Sequence, residues 1–283
     1  MRKISLHKTI LTASILTSVL LLSSCSGLLR PANDREVHPS AGAVFSPEMK
    51  YELVVEESAV PVFDETAAVE PEVPPCSAFL EAEIGSSVTF SCYVQAKEAF
   101  RDNTCSLFAQ DETGACYLDR LSCIEDDYDR LTPGQKILIT GYKSTWGDDI
   151  ELTDSHFAFL DGSWLAEPLD VTAMLGTEEI SAHRNEKVCF RSMTIESMMD
   201  GVSVWYRGWD NAAAEGEDTE LFFRASSGGT VSTFSVCPSL CEEPDQVIQT
   251  LKSLRLGDTV DLTGYLYWYN EARPRITEIT LHF

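Results

Sequence analysis

Two groups of side chains in this sequence have types and spacings that can do chemistry: rings set beside arginines, and cysteines. The run Tyr265-Leu266-Tyr267-Trp268-Tyr269-Asn270-Glu271-Ala272-Arg273-Pro274-Arg275 places Tyr267, Trp268 and Tyr269 next to Arg273 and Arg275. Aromatic faces stack on a base or a sugar ring, and a guanidinium grips a carboxylate or phosphate through two parallel hydrogen bonds. Trp205, Arg207 and Trp209 repeat the theme at alternate positions, which share one side of a strand. Trp146, with Asp148 and Asp149 nearby, is a thinner version. The expected ligand-binding residues are therefore Trp268, Tyr267, Tyr269, Arg273, Arg275, Trp205, Arg207 and Trp146. The same alternation also suits half-buried strand surface, where aromatics pack well.

Catalysis finds no footing. There is no Gly-x-Ser-x-Gly elbow, His-Glu-x-x-His pair, P-loop or Gly-x-Gly-x-x-Gly turn. His38, His156, His183 and His282 are scattered. The acidic run Glu125-Asp126-Asp127-Tyr128-Asp129 lacks the Gly and closing Glu of a calcium loop and reads as a solvated helix face. No enzyme, catalytic residue, cofactor or metal site is expected. Beyond Cys25 the chain holds Cys76, Cys92, Cys105, Cys116, Cys123, Cys189, Cys237 and Cys241, with no Cys-x-x-Cys spacing. Eight cysteines permit up to four disulfides, and Cys237 and Cys241 are close enough in sequence to bridge. They equally suit reduced, buried small hydrophobes.

The elements that must carry these side chains come from a repeat. LTPGQKILITGY (Leu131 to Tyr142) returns 123 residues later as LRLGDTVDLTGY (Leu254 to Tyr265). Before the first copy stand strand-like runs at Val88–Val94, Cys105–Gln110 and Ala115–Leu118, with Asp111-Glu112-Thr113-Gly114 as a hairpin turn. Ser122-x-x-Glu125 reads as a capping box opening a short helix to Leu131. Strands at Lys136–Tyr142 and Ile150–Thr153 follow. The second copy reads as strands at Glu186–Phe190, Val202–Arg207 and Glu220–Arg224, a helix from Pro244 to Leu254, then strands at Gly257–Gly264 and Ile276–Ile279. Strand, strand, strand, helix, strand, strand is the order of the OB-fold. The expected fold class is mainly β: two tandem five-stranded OB-fold barrels, each with a short helix between strands three and four, after a disordered tether. Both quoted stretches are then strand four, with Gly at each end for a turn and for close backbone approach.

The Asp-x-Thr-Gly hairpin at Asp111 to Gly114 and the Gly-x-x-apolar-x-apolar-x-Gly strand at Gly134 to Gly141 resemble nucleic-acid-binding OB domains of the tRNA-anticodon type. That resemblance implies single-stranded nucleic acid as a ligand. The charge argues against it. The chain carries 21 basic and 45 acidic residues, a net −24. Phosphate contacts dominate nucleic-acid affinity, and an acidic surface repels them.

The N-terminus addresses location. Arg2, Lys3 and Lys8 precede an apolar run from Ile10 to Leu22, then Leu22-Ser23-Ser24-Cys25. Charge, length and small-residue exit read as a secretory signal, too short for the ~20 residues of a spanning helix. Leu-Ser-Ser-Cys resembles the lipobox of bacterial lipoproteins, which implies cleavage before Cys25 and diacylation on its sulfur, with lipid anchoring to the cell membrane facing outside the cytoplasm. The rest of the chain then holds 18 basic and 45 acidic residues, or −27. The expected layout is signal peptide 1–24, Pro/Glu-rich tether 25–78, OB domain 79–162, connector 163–183 and OB domain 184–283. The expected function is a membrane-anchored, non-enzymatic binding module for a glycan, peptide or envelope partner. Single-stranded nucleic-acid binding and a pure scaffold are the alternatives.

Overall fold

A computed structural model describes residues 73–213 and 219–282. The signal segment, Cys25 and most of the expected tether lie outside the described residues. Among those described, no helix is long and apolar enough to cross a membrane. The chain forms two closed five-stranded barrels in tandem, each with OB topology.

The first barrel is built from β1 (Ser87–Lys97), β2 (Thr104–Asp111), β3 (Gly114–Ser122), β4 (Gln135–Trp146) and β5 (Asp149–Ser163), ordered β1-β2-β3-β5-β4. Closure comes from the parallel pairing of β3 with β5, at Tyr117↔Glu151 and Leu118↔Leu152. Alternate residues point inward, so Phe90, Cys92, Val94, Leu107, Ala109, Leu118, Ile137 and Ile139 form the core. The turn from β2 to β3 is the expected one, with Asp111 Oδ1 accepting from Thr113 N and Oγ1, both at 2.7 Å. A short helix, α1 (Ser77–Glu81), buries Phe79 against Phe90 at 5.6 Å between ring centroids. Residues 74–78, placed in the tether by sequence reading, thus pack on the barrel: Ser91 N donates to Pro74 O at 2.8 Å. Helix α2 (Glu125–Arg130) sits between β3 and β4 as expected, but Ser122 does not cap it. Ser122 is held in β3, paired with Thr104.

After β6 (Leu169–Asp170), short 3₁₀ helices at Thr172–Met174 and Glu178–His183 lead to the second barrel. Its strands are β7 (Lys187–Glu196), β8 (Trp205–Arg207), β9 (Leu221–Ser227), β10 (Thr230–Val236), β11 (Thr259–Tyr265) and β12 (Arg275–Leu281). The barrel runs β7-β11-β12-β10-β9 and closes by β7 pairing β9 at Thr194↔Ser226, while β6 and β8 add to its edges. Helix α3 (Pro244–Ser253) starts on Pro244 and buries Val247 and Leu251 in the core.

Two second-copy strands differ from the sequence reading. Residues 202–207 were expected as strand two and 220–224 as strand three. The structure makes β9 strand two and β10 strand three, and β8 only an edge strand on β9. The turn between β9 and β10 is Gly228-Gly229, both at positive φ (+58° and +85°). A Gly-Gly pair between strands is a tight-hairpin signal, masked here by the polar residues around it.

The strand-four glycines do what the repeat implied. Gly134 and Gly257 enter their strands at φ +89° and +87°, a region glycine adopts without strain. Gly141 and Gly264 lie where strands four and five approach too closely for a side chain. A Cβ on Gly141 would sit 2.9 Å from Leu152 Cγ, and one on Gly264 would sit 2.1 Å from Arg275 O.

Candidate ligand-binding face

An OB barrel offers a ligand the outer face of strands two and three, between the loop joining strands one and two and the loop joining strands four and five. The two barrels use this face differently.

On the first barrel, Phe108 of β2 and Tyr117 of β3 point outward, yet both are buried. The second barrel covers them. Tyr265 stacks on Phe108 at 4.7 Å and 12°, and its hydroxyl donates to Gln95 O at 3.0 Å. Tyr267 meets Tyr117 edge-on at 5.4 Å and Phe108 at 6.5 Å. Arg275 lies over the Tyr267 ring at 4.0 Å and ion-pairs with Glu98 from the first barrel's loop between strands one and two. Tyr117 donates its hydroxyl to the same Glu98 carboxylate at 2.7 Å. Burial raises the Tyr117 phenol well above its usual value and pushes Tyr267 up to about 12. Burial alone would lower the Arg275 guanidinium, but Tyr117, Glu98 and Glu220 hold it protonated.

The tip of the first barrel's β4–β5 loop is also engaged. Gly147 lies against Asn270 and Tyr269. Arg184 donates to Asp148 O and lies 4.2 Å over the Trp268 ring. Asp149 is 1% exposed, and neither of its carboxylate oxygens makes a well-formed hydrogen bond. Burial pushes it up to about 6, against smaller pulls from the Ile150 amide, Arg184 and Arg275. Glu151 is pushed up to about 7 by burial and by the neighbouring Asp119 and Asp149.

On the second barrel the equivalent face is open. Trp209, in the segment between strands one and two, is 45% exposed. It meets Phe222 of β9 edge-on at 5.4 Å and 89°. From the loop between strands four and five, Arg273 lays its guanidinium 4.2 Å over Trp209 and 5.7 Å from the Tyr269 ring. Tyr269 is 37% exposed. That loop is tightly wound: Tyr269 N donates to Glu271 O at 3.0 Å and Arg273 N to Tyr267 O at 2.9 Å. Arg273 also pairs with Glu271 at 3.2 Å. The two loops therefore meet through one arginine held between two rings.

The eight expected residues divide accordingly. Tyr267 and Arg275 are partly buried between the barrels, and Trp268 packs against the second core beneath Arg184. Tyr269 and Arg273 stand on the open face. Trp205 packs on the second core with Lys252 5.7 Å over its ring, and Arg207 lies beside it on β8 with its N–H bonded to Asn211. Trp146 is 62% exposed at the first barrel's tip. Phe222 joins the open face unannounced by the sequence reading. Its signal was available, because Leu221, Phe223 and Ala225 point into the core and leave Phe222 outside.

No family model and no curated protein matches this sequence. Among solved structures, the chain is similar to the tetrameric HIN2 domain of p202, at 10% identity and TM-score 0.30, covering 71% of this chain and 96% of that one. It is similar to a murine DNA-binding protein bound to double-stranded DNA, at 12% identity and TM-score 0.32, covering 69% and 96%. It is also similar to a replication protein A heterotrimer bound to single-stranded DNA, at 9% identity and TM-score 0.24, covering 76% and 70%. Likeness at these scores says nothing about a ligand, and the OB assignment rests on the strand pairings.

Proposed function

We propose that this chain is a non-enzymatic binding module whose ligand site is the open face of the second barrel. The observation that carries this reading is the Trp209–Arg273–Tyr269 stack over Phe222, between the two loops an OB barrel uses for ligands. Exposed rings of this kind cover the apolar face of a sugar or a ligand ring, and Arg273 adds directed donors for a hydroxyl or carboxylate. A neutral or weakly charged ligand, a glycan or peptide, suits a chain of net −24. In this reading residues 1–24 export the chain, Cys25 anchors it to the membrane, and the following segment holds the barrels clear of the surface. The test is a glycan and peptide array probed with the full chain. Binding at physiological salt that falls tenfold or more in Trp209→Ala and Arg273→Ala is expected; unchanged affinity in both removes the face. Replacing Cys25 by Ser is expected to release the protein from the membrane fraction.

Nucleic acid, the ligand in two of the similar structures, is the second reading. What favours it in this chain is that every base has a face that stacks on rings like Trp209 and Tyr269. Against it, three of the second barrel's arginines are engaged internally. Arg275 pairs with Glu98, Arg273 with Glu271, and Arg224 donates to Ser197 O at 3.2 Å. A labelled single-stranded 20-mer at low salt, where phosphate contacts count most, is expected to run free; a shifted complex that weakens as salt rises would make nucleic acid the ligand.

A further inference from the structure

The eight cysteines among the described residues are free thiols, but they are not scattered alike. Cys105 and Cys123 form a pair, with their sulfurs 3.7 Å apart. Cys241 donates to Cys237 O at 3.5 Å. Cys76, Cys92 and Cys116 instead form a trio, with all three sulfurs within 4.8 Å of one another. The sequence reading expected no metal site, because no Cys-x-x-Cys pair occurs. The fold supplies the convergence from three distant segments.

Each sulfur is aimed by its element. Cys92 and Cys116 are inward residues of β1 and β3, on either side of β2, whose own inward residue Ala109 pairs with Cys116 and is small. Cys76 arrives from the segment before α1, pinned by its N–H to Asp111 Oδ2 at 2.8 Å. The next amide, Ser77 N, donates to Thr113 Oγ1 at 2.9 Å. All three cysteines are fully buried.

We propose that Cys76, Cys92 and Cys116 form a three-sulfur site for a soft metal ion, with monovalent copper the ion it fits best. Three sulfurs around a planar metal at about 2.3 Å stand about 4 Å apart, inside the 4.8 Å within which these three sulfurs lie. Structural zinc takes four protein ligands, whereas the described residues offer this group three. Thiolate ligands select soft ions. A disulfide would use two of the three sulfurs and leave one over; a trigonal ion uses all of them. Binding exchanges up to three S–H protons, released to solvent, for metal–sulfur bonds, and no electron is transferred. The bound ion would fasten residues 74–81 to the barrel.

The test uses the full chain, reduced and kept free of oxygen, offered Cu⁺ or Zn²⁺ against a competing chelator. One copper per chain is expected, with Cu⁺ retained at chelator concentrations that strip Zn²⁺. That copper is expected to be lost in Cys92→Ala and in Cys116→Ser, and kept in the Cys105→Ser/Cys123→Ser double variant. Because a core cysteine variant can fail to fold, the unmutated protein supplies a second readout. In urea that opens these three thiols to alkylation in the metal-free chain, bound copper should still shield Cys76, Cys92 and Cys116 while Cys237 reacts. Copper retained in Cys92→Ala, no shielding of the three, or a stronger hold on Zn²⁺ would each overturn the proposal.

Discussion

The same outer face is closed on the first barrel and open on the second. Phe108 and Tyr117 hold the positions on the first barrel where an OB ligand would lie, and Tyr265, Tyr267 and Arg275 of the second barrel occupy them. Trp209 and Phe222 hold the matching region on the second barrel, where, among the described residues, Arg273 from its own loop lies over Trp209 with Tyr269 beyond it. One barrel has this outer face filled by its neighbour, while on the other barrel Trp209 and Tyr269 of the same face are exposed. Duplicating a domain thus yields two unlike faces, which the proposed function would use as a mount and a reader. The partly buried Glu98–Arg275 pair and the buried Asp149 also lie at the closed face.

The largest way to break this comparison is to cut into the closed face. Phe108→Ala removes a fully buried ring and is expected to cost ~3 kcal/mol or more of unfolding free energy in urea. Trp209→Ala on the open face should cost under about 1 kcal/mol. Equal costs would mean the two faces are alike after all.

Next comes the ion pair. Arg275→Ala leaves Glu98 largely buried without its partner. Breaking a fully buried pair costs about 3–5 kcal/mol, and the partial exposure of these side chains reduces that to roughly 2. The Glu98→Gln/Arg275→Met double variant is expected to recover most of the loss. Additive losses in urea melts would show that the two charges do not act as a pair.

Asp149 gives the comparison a pH signature. Its carboxyl is raised from 3.8 to about 6 in the folded chain. Between those values the unfolded chain holds fewer protons on this group than the folded one, so stability falls as pH rises. Glu151, raised to about 7, extends the fall. Asp149→Asn is expected to flatten the slope between pH 4 and 7 and to stabilise the chain at pH 7 by roughly 2 kcal/mol. A wild-type stability that climbs across that range would refute it.

The smallest stability effect should accompany the largest binding effect. Arg273→Ala and Tyr269→Ala are expected to move the urea midpoint little while weakening a ring-bearing ligand about tenfold, the 1.4 kcal/mol of one lost stacking partner. Titrating each variant with the best array hit checks both sides at once.

Much of the fold was legible because its signals are local. The period-two alternation of β1, β2 and β4, the Asp111 turn, the Pro244 helix start and the paired glycines of strand four each act within a few residues. The second copy's middle strands were misplaced for an equally local reason. Val202–Arg207 has a strand's composition, while the true hairpin at Gly228-Gly229 is buried in Ser and Thr. The candidate site was half legible. Tyr269 and Arg273 were found by residue type, but Tyr267 and Arg275, two steps away on either side, turned out to be interface.

The sequence by itself determined that two barrels form, which strand residues face inward, and where backbone must pass backbone. These depend on side-chain period and on glycine's lack of a Cβ, which are properties of short stretches. Only the tertiary structure decided what covers the outward rings, because alternation fixes the side a ring takes and not its neighbour. It alone brought Arg273 between Trp209 and Tyr269, and Cys76 to Cys92 and Cys116. Those contacts join different strands and loops, and they exist only once each barrel has closed; the covering of Phe108 and Tyr117 further needs one barrel docked against the other.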